Sequence, residues 1–380
     1  MDYGKESLRI HKEVGGKIEI RGKLPVTNNE ELAVAYTPGV AAVVEQVRDN
    51  PDMAGELIAT KRMVAILTNG TAVLGLGKAG AVASLPVMEG KALLLREFAG
   101  VEAFPIAINE SDPDRFVQVA VAIADTFGGI NLEDIAAPEC FEIEEKLRQS
   151  VDVPVFHDDQ HGTAIVVLAG LMNALKVVGK KKESVRVVIS GAGAAGIATA
   201  RLLSKYGVSK ITICDSRGVI YEGRDDLNSH KREMLKLAEE RHEFWTMKEA
   251  VVGADVFIGV SAGGLLSVED VGRMKEGAIV FAMANPIPEI MPEDAKAGGA
   301  FVVATGRSDY PNQLNNVLVF PGVFKGLLRS GKKAVTDSMK VAVAKALAGL
   351  VKEPRVDRIV PDPFDKMVAD TVAGAVISSE

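Results

Sequence analysis

The chain has few cysteines, no long apolar run and no excess of positive charge, and each absence excludes a class of protein. Its two cysteines, Cys140 and Cys214, are too few for a disulfide framework and lack the spacing of a metal site, so we expect two buried thiols in a reducing cytosol. No uncharged apolar stretch reaches the roughly 18 residues that a transmembrane helix needs. The polar start of the sequence lacks the apolar segment of a signal peptide. These features predict a soluble, cytoplasmic protein.

The charge balance limits the partners that the chain can bind. Its net charge is −7, which disfavours nucleic acid, because a nucleic-acid binder needs a basic face to displace counterions. Apolar residues make up 47% and charged residues 25% of the 380 positions, as in ordinary globular proteins. That length suggests two domains of roughly 100–200 residues each. We therefore expect a two-domain protein that acts on small molecules and binds neither nucleic acid nor membranes.

Short apolar strands alternate with helical patterns along the chain, and this alternation is typical of an α/β fold. In the first part, predicted strands cover residues 62–68, 101–108, 129–136 and 152–159, and predicted helices cover 91–100 and 112–129. The polar run GKKKES at 179–184 is predicted to form a solvated loop after a helix at 163–179.

Beyond residue 185 the predicted strands are nearly continuously apolar, as strands of a parallel sheet covered on both faces should be. They are VRVVIS, ITICD, ADVFIGVS, GAIVFAMANP and FVVATG. Helices are predicted between them, and the tail from about Lys332 to Val376 is predicted to be mostly helical. We therefore predict an N-terminal α/β catalytic domain over residues 1–160 and a doubly wound, Rossmann-like dinucleotide-binding domain over 161–380 that ends in a helical segment.

The sequence GAGAAG lies directly between the strand VRVVIS and a helical pattern, which is the context of a dinucleotide-binding turn. Gly191 permits the tight turn, Gly193 lets the backbone approach a pyrophosphate, and Gly196 allows close packing of helix on strand. The free N–H groups at the helix N-terminus then favour the phosphates. The predicted cofactor-binding residues of the turn are Gly191, Ala192, Gly193, Ala194, Ala195 and Gly196.

The end of the next strand leaves the choice of NAD or NADP open. Asp215 is placed to accept a hydrogen bond from the adenosine ribose, and its charge favours NAD by repelling a 2′-phosphate. Ser216 and Arg217 follow at once, and an arginine there could instead pair with that phosphate. All three residues are predicted to contact the cofactor.

Two acidic doublets, Glu133-Asp134 and Asp158-Asp159, end predicted strands of the first half. Acidic pairs are usually solvent-facing loop caps, but both doublets lie among apolar residues. Carboxylates at strand ends face the crevice where α/β folds bind ligands, and crowded carboxylates repel unless a cation neutralises them. An all-oxygen site selects Mg²⁺ or Mn²⁺. We interpret the flanking His157 and His161 as structural or supporting residues.

Lys91 and Tyr36 are further candidates whose ordinary roles are structural. Lys91 lies in the otherwise apolar LPVMEGKALLLREF, and burial beside a divalent cation would lower its pKa, as a general base requires. Tyr36 precedes a Thr-Pro-Gly turn, so its ring could project from a loop edge. A lone lysine is more often a solvent-facing helix residue, and a lone tyrosine is more often a packing residue.

Taken together, these segments closely resemble the malic enzyme family over nearly the whole chain. The combination of YTPGVA, NLEDI and HDDQHGTA is highly specific. The matching stretches are AYTPGVA (35–41), LTNGTAVLGLGKAG (67–80), GKALLL (90–95), GGINLEDI (128–135), FHDDQHGTA (156–164), GAGAAG (191–196), MANP (283–286) and NQLNNVLVFPGVFKG (312–326). The chain is about the size of the short microbial form.

The resemblance implies oxidative decarboxylation of L-malate to pyruvate and CO2 with NAD or NADP and Mg²⁺ or Mn²⁺. It implies that Glu133, Asp134 and Asp159 are the metal ligands and that Asp158 lies directly beside them. Lys91 would take the hydroxyl proton of malate, and Tyr36 would protonate the enol of pyruvate. It also implies a homodimer or larger even assembly, in which Tyr36 enters a neighbour's site.

The resemblance further implies that Asn285 and Asn316 hold a malate carboxylate or the nicotinamide end of the cofactor, with Asn315 as the near alternative. One position departs from the family pattern. Larger members carry an arginine that grips a substrate carboxylate where this sequence has Ala72, so another cationic group must do that work.

Three other functions are compatible with parts of the pattern. An oxaloacetate decarboxylase or malolactic-type enzyme on the same scaffold would give no net reduced cofactor. A two-domain amino-acid dehydrogenase also pairs a lysine with a dinucleotide domain, but it needs no metal, which the acidic doublets disfavour. A dinucleotide-sensing regulatory protein would not need Lys91, Tyr36 and three carboxylates together.

Overall fold

The structure is a computed structural model that describes residues 2–73, 75–237 and 246–380. The strands are β1 (Val64–Thr68), β2 (Ala103–Ala107), β3 (Gly129–Leu132), β4 (Val155–His157), β5 (Arg186–Ser190), β6 (Lys210–Asp215), β7 (Gly218–Val219), β8 (Val256–Gly259), β9 (Ala278–Ala282) and β10 (Ala300–Thr305). The helices are α1 (Tyr3–Val14), α2 (Asn29–Ala35), α3 (Val40–Asp49), α4 (Ala54–Leu57), α5 (Ala81–Ala99), α6 (Pro113–Ala124), α7 (Glu139–Ser150), α8 (Asp158–Val177), α9 (Ala194–Tyr206), α10 (Ser229–Met234), α11 (Met247–Val251), α12 (Val268–Gly272), α13 (Pro292–Ala297), α14 (Phe320–Ser330), α15 (Asp337–Gly349) and α16 (Met367–Ser378).

The first sheet has the strand order β2-β1-β3-β4, and its strands are parallel. In the register of β3 against β4, Leu132 lies opposite His157. Each of these residues is followed directly by an acidic doublet, so the register places the two doublets side by side at the carboxyl edge of the sheet. Two segments that are 25 residues apart in sequence thereby form one site.

The second sheet has the order β10-β9-β8-β5-β6-β7, with the first five strands parallel. This confirms the five predicted buried strands, and it adds the two-residue β7, which runs antiparallel to β6. In this sheet β6 lies on one side of β5, and β8, which comes later in the chain, lies on the other side. A crevice opens at the carboxyl end of β5, where the order switches, and that is where such sheets bind ligands. The predicted mixed α/β fold with a Rossmann-like sheet and a helical C-terminal segment is confirmed.

Two helices begin earlier than the sequence predicted. Helix α8 begins at Asp158, so the second doublet opens a helix instead of ending a strand, which suits carboxylates because a helix N-terminus carries partial positive charge. Helix α5 begins at Ala81, and its buried residues Ala81, Ser84, Met88, Lys91, Leu95 and Ala99 recur at three- and four-residue intervals. The glycine- and alanine-rich stretch hid this period because small residues give a weak apolar contrast.

Helix α8 joins the two sheets. Its residues from Ala164 to Leu175 are all buried, and one hydrophobic core extends from Ile66 in the first sheet to Ile189 in the second. The predicted domain boundary at 160/161 falls inside this helix and stays a prediction. The two cysteines are buried free thiols, as expected. No helix among the described residues is long and apolar enough to cross a membrane.

Candidate active site

A buried lysine and two buried carboxylates form the centre of the site. Helix α5 brings Lys91 to the carboxyl edge of the first sheet, where its Nζ donates a hydrogen bond to Asp158 and lies 3.0 Å from Oε1 of Glu133. The three residues are nearly inaccessible to solvent, with Lys91 8% exposed. Lys91 Nζ also lies 4.5 Å from the centre of the Phe320 ring. The ring and the surrounding core exclude water, so the proton on this lysine can reach only a few partners.

Three carboxylates form an all-oxygen group beside this pair. Ligand atoms of Glu133, Asp134 and Asp159 lie within 4.8 Å of one another. The amide of Asp134 donates to Oδ2 of Asp159 over 2.8 Å, and Asp134 has a left-handed backbone with φ of 54°. A non-glycine residue rarely adopts that conformation, and such strain is concentrated at functional sites. The strained turn directs Asp134 toward Asp159.

Burial and crowding shift the protonation of this cluster. Burial raises the pKa of Asp158 to about 7, although the positive charge of Lys91 acts to lower it. Burial also raises the pKa of Glu133 to about 7, with the charge of Asp159 adding to the effect. Burial by itself would lower the pKa of Lys91, but the charges of Asp158 and Glu133 outweigh it and raise that pKa above its ordinary value.

When its carboxylates are ionised, the site carries more negative charge than its single lysine can balance. Four carboxylates (Glu133, Asp134, Asp158 and Asp159) surround one ammonium group. A hard divalent cation would relieve that repulsion, and oxygen atoms are the ligands that Mg²⁺ and Mn²⁺ prefer. The donor set therefore fits such an ion.

Polar residues that sequence reasoning missed support the cluster. Asn131, fully buried in β3, donates from Nδ2 to Oε2 of Glu133 over 3.0 Å. Glu144 of α7 accepts hydrogen bonds from Gln160 and pairs with His161, at 3.0 and 2.7 Å, and so fixes the first turn of α8. Burial would raise the pKa of Glu144, but His161 lowers it to about 2. A buried glutamate inside an acidic surface helix has no local sequence signal.

The two histidines flanking the second doublet differ in their polar contacts. His157 is fully buried, and burial lowers its pKa to about 4, so it is neutral at neutral pH. His161 lies with its Nε2 2.7 Å from Oε1 of Glu144, which is not one of the three clustered carboxylates. This placement is compatible with the structural role predicted for both residues, which no observation tests directly.

The loop after β1 connects the cluster to the second sheet. The amide of Ala72 donates to the carbonyl of Asp134 over 3.0 Å, and the Thr71 hydroxyl accepts from the amide of Ala136. Further along, Gly75 packs so closely on the carbonyl of Asn285 that a side chain would lie only 2.5 Å from it. This glycine loop therefore contacts both the segment of Asp134 and the segment of Asn285.

The glycine turn has the geometry of a pyrophosphate cradle. Gly191 has φ of 117°, and a Cβ there would meet the carbonyl of Val260 at 2.7 Å. A Cβ at Gly196 would overlap the carbonyl oxygen of Gly191, whereas at Gly193 it would meet no atom within 4 Å. The open space is therefore at Gly193, where the free amides of α9 begin, and a phosphate group fits there.

Buried Glu289, which sequence reasoning missed, ties the loops around this cradle together. Its side chain accepts hydrogen bonds from the amides of Ser261 and Ala284, each over 3.0 Å. It thereby joins the segments that follow β8 and β9.

Asp215 ends β6 next to the glycine turn, because the amide of Gly191 donates to the carbonyl of Cys214 over 2.9 Å. Its carboxylate binds Arg224 in a two-pronged pair at 3.0 and 2.9 Å and Lys231 at 2.6 Å. Burial would raise the pKa of Asp215, but these cations hold it below its ordinary value. Ser216 and Arg217 lie exposed at the turn.

The remaining predicted residues differ in how close they come to the cluster. Asn316 lies beside Gly162, which also contacts Asp158. The side chain of Asn315 accepts from the amide of Val317, so it caps a short turn. Tyr36 is 67% exposed at the end of α2. Among the described residues, no hydrogen bond or ion pair joins it to the carboxylates.

The fold and site together define a class of protein: a two-domain α/β oxidoreductase with a nicotinamide dinucleotide cofactor and a carboxylate cluster. Sequence comparison narrows this class. Residues 15–148 match the profile described as the N-terminal domain of malic enzyme, and residues 160–379 match the NAD binding domain of malic enzyme. The chain belongs to the malic enzyme family.

Individual relatives agree with this assignment. The chain is 52% identical to a bifunctional malic/malolactic enzyme of Bacillus subtilis, covering 99% of this chain and 92% of that protein. It is 50% identical to an NAD-dependent malic enzyme of Geobacillus stearothermophilus, with 96% and 77% covered. The crystal structure of an NAD-dependent malic enzyme from Thermotoga maritima superposes with a TM-score of 0.95 at 41% identity and covers 98% of this chain and 99% of that one. Other relatives are named NADP-dependent malic enzymes.

Proposed function

We propose that this chain oxidatively decarboxylates L-malate to pyruvate and CO2 while it reduces NAD⁺ or NADP⁺, and that Mg²⁺ or Mn²⁺ is required. The observation that carries this proposal is the buried contact of Lys91 with Asp158 and Glu133 directly beside three clustered carboxylates. The Lys91–Asp158 pair, which can transfer a proton, and the carboxylates that can bind a cation therefore lie together at the carboxyl edge of the first sheet. A dehydrogenase without decarboxylation would need no such cluster.

Glu133, Asp134 and Asp159 would hold the divalent cation, and the turn from Gly191 to Gly196 with Asp215, Ser216 and Arg217 would hold the dinucleotide. When bound, the cation supplies Lewis-acid stabilisation of negative charge on the substrate, and the nicotinamide ring accepts a hydride.

The chain's own groups move the protons. The ammonium group of Lys91 first passes a proton from Nζ to Asp158, which accepts a hydrogen bond from that atom and whose pKa burial raises to about 7. The neutral amine then takes the proton of the malate hydroxyl at Nζ. Tyr36 delivers a proton to the carbon that has lost CO2.

Asparagine side chains would orient the reactants. Asn285 and Asn316 hold a malate carboxylate or the nicotinamide end, with Asn315 as the alternative. Asn316 has the best-supported place, since it lies beside Gly162 and Asp158.

The exposed position of Tyr36 supports a homodimer. None of α1, α2 or α3 has a buried residue. Their apolar side chains are open to solvent, including Leu8 at 65% and Val34 at 71%, and so is Tyr36, directly after α2, at 67%. Apolar surface of this extent marks an interaction site, and a second copy in a two-fold pair is the ordinary partner. Tyr36 would then act in the site of the partner subunit.

A coupled assay tests the proposed function. Purified protein is given L-malate, each cofactor and each metal in turn, and reduced cofactor and pyruvate are measured together. We expect them to form in a one-to-one ratio, to vanish with a chelator and to return when Mn²⁺ is restored. The absence of reduced cofactor under all of these conditions would contradict the proposal.

A second function is favoured by one finding. The relative from Bacillus subtilis is named a bifunctional malic/malolactic enzyme. If this chain shares that activity, part of the malate will appear as lactate, with less reduced cofactor than CO2. Measuring lactate in the same assay separates the two outcomes.

A further inference from the structure

We propose that the cations around Asp215 form a binding site for the 2′-phosphate of the cofactor, so that the chain selects NADP over NAD. This inference rests on the proposed function, because it assumes that a nicotinamide dinucleotide binds at the glycine turn. The three cations are Arg217 and Arg224, which follow β6, and Lys231 of α10.

The carboxylate of Asp215 has no acceptor site left for a ribose hydroxyl. Oδ1 accepts from the Arg217 amide at 2.9 Å and from Nη1 of Arg224 at 3.0 Å. Oδ2 accepts from Nη2 of Arg224 at 2.9 Å and from Nζ of Lys231 at 2.6 Å. A carboxylate offers about four lone-pair directions, and four donors occupy them here. An aspartate that recognises NAD needs free acceptors, so this one has another task.

Asp215 acts as a positioning residue for the cations. Asp226 accepts from Nε and Nη2 of Arg224 at 2.9 and 2.6 Å and lies 3.3 Å from Arg217. The paired cluster therefore holds three cations against two carboxylates and keeps one net positive charge. The negative charge of Asp215, which would repel a 2′-phosphate, is already neutralised.

Arg217 and Lys231 are the cations that can reach a phosphate. The side chain of Arg217 is 68% exposed, and among the described residues its one ion pair is with Asp226 at 3.3 Å. The side chain of Lys231 is 22% exposed, and one of the three donors of its ammonium group is used by Asp215. The side chain of Arg224 is only 7% exposed with both Nη atoms bound to carboxylates, so it serves to hold the cluster together. The exposed Ser216 hydroxyl can add a further hydrogen bond.

The first experiment uses the unaltered protein and needs no turnover. Isothermal titration calorimetry compares NADP⁺ with NAD⁺, and adenosine 2′,5′-bisphosphate with 5′-AMP, in the absence of malate and metal. We expect the 2′-phosphate to tighten binding at least about tenfold in each pair, since each ligand forms one or more charge-assisted hydrogen bonds that its counterpart cannot. Equal binding within each pair would overturn only this inference. Binding of neither cofactor would overturn the proposed function as well.

The second experiment removes the two reachable cations. In the double variant Arg217→Ala with Lys231→Ala, affinity for NADP⁺ should fall at least about tenfold, while affinity for NAD⁺ changes by less than about twofold. Lys210→Ala is the matched control, since Lys210 is an exposed lysine at the opposite end of the same strand. Circular dichroism checks that the double variant is folded. An equal loss of affinity for both cofactors, or for neither, would overturn the assignment.

Discussion

At the scale of single residues, the site depends on one ammonium group among several carboxylates. Lys91 was a candidate from its apolar sequence context, but its partners could not be predicted from that context. Asp158 lies 67 positions away and reaches Lys91 only because α8 begins at the carboxyl edge of the sheet. Asn131 and Glu144 were missed for the same reason, since their roles follow from tertiary neighbours and not from local pattern.

Replacing Lys91 by alanine should abolish malate oxidation and leave cofactor binding intact. The variant lacks the proton acceptor, and general acid–base groups contribute roughly 10²–10⁴-fold to rate. Calorimetry with NADP⁺ and NAD⁺ should show affinities within about twofold of the parent, because the glycine turn lies in the other sheet. The matched control is Lys345→Ala, an exposed lysine of α15. A variant at Lys91 that retained more than about a tenth of the activity would remove this residue from the mechanism.

At the scale of elements, the strands were predicted well and the helix starts less well. The apolar strands of the second sheet have an unambiguous pattern because both faces are covered. The start of α5 was hard to predict because its first residues are small and give little apolar contrast. The start of α8 was hard to predict because strand β4 passes directly into the helix within FHDD, and local propensity does not show where the strand ends and the helix begins. The register of β3 against β4 could not be read from either strand alone, yet it is what assembles the site.

Two glycines of the turn should respond differently to the same substitution. Gly196→Ala places a methyl group on the carbonyl oxygen of Gly191, which is backbone and cannot move aside, so it should lower the thermal stability of the protein. Gly193→Ala meets no atom within 4 Å and should leave stability nearly unchanged while weakening cofactor binding. Thermal unfolding and calorimetric titration of both variants measure the two effects. Equal stability of the two variants would contradict the packing role of Gly196.

A buried carboxylate fixes the amino ends of the second sheet. Asp255, 4% exposed, accepts from the Arg186 amide at 2.9 Å, from Lys180 at 3.0 Å and from Lys275 at 2.9 Å. Burial would raise the pKa of Asp255, but these donors outweigh it and lower the pKa below 3.8. The Asp255 carboxylate therefore connects the amino end of β5 to the loops that precede β5 and β9.

Asp255→Asn should destabilise the fold by about 1–2 kcal/mol at pH 7, since two lysines lose charge-assisted hydrogen bonds, and the Lys275 side chain, 53% exposed, can be solvated instead. Because the folded pKa lies below the ordinary 3.8, the stabilisation is complete above that pH and is lost as the pH falls through the folded value. Urea unfolding from pH 7 downward should show a constant difference to about pH 4 that then shrinks. Asp152→Asn, at an exposed pair with Lys333, is the control and should have no measurable effect.

At the scale of the whole molecule, the segment before β1 contributes little to the common core. It contains α1, α2 and α3, in which no residue is buried, whereas α8 is buried through most of its length. The sequence resemblance implied that Tyr36 takes part in the reaction and enters a neighbour's site, whereas composition alone indicated neither. The exposed apolar faces support the assignment to a partner subunit.

Mixing two inactive variants tests whether Tyr36 acts across a dimer. Tyr36→Phe lacks the proton donor and Lys91→Ala lacks the acceptor, so each alone should convert malate to pyruvate very slowly. If Tyr36 enters the partner's site, a mixed dimer has one intact site, and random exchange of equal amounts should restore about a quarter of the parent activity. The mixture is unfolded and refolded together, and turnover is compared with that of each variant treated alone. The double variant Tyr36→Phe with Lys91→Ala, mixed with the parent chain, serves as the control, because it places both defects in one subunit. Recovery no greater than the sum of the separate variants would show that Tyr36 and Lys91 of one chain serve the same site.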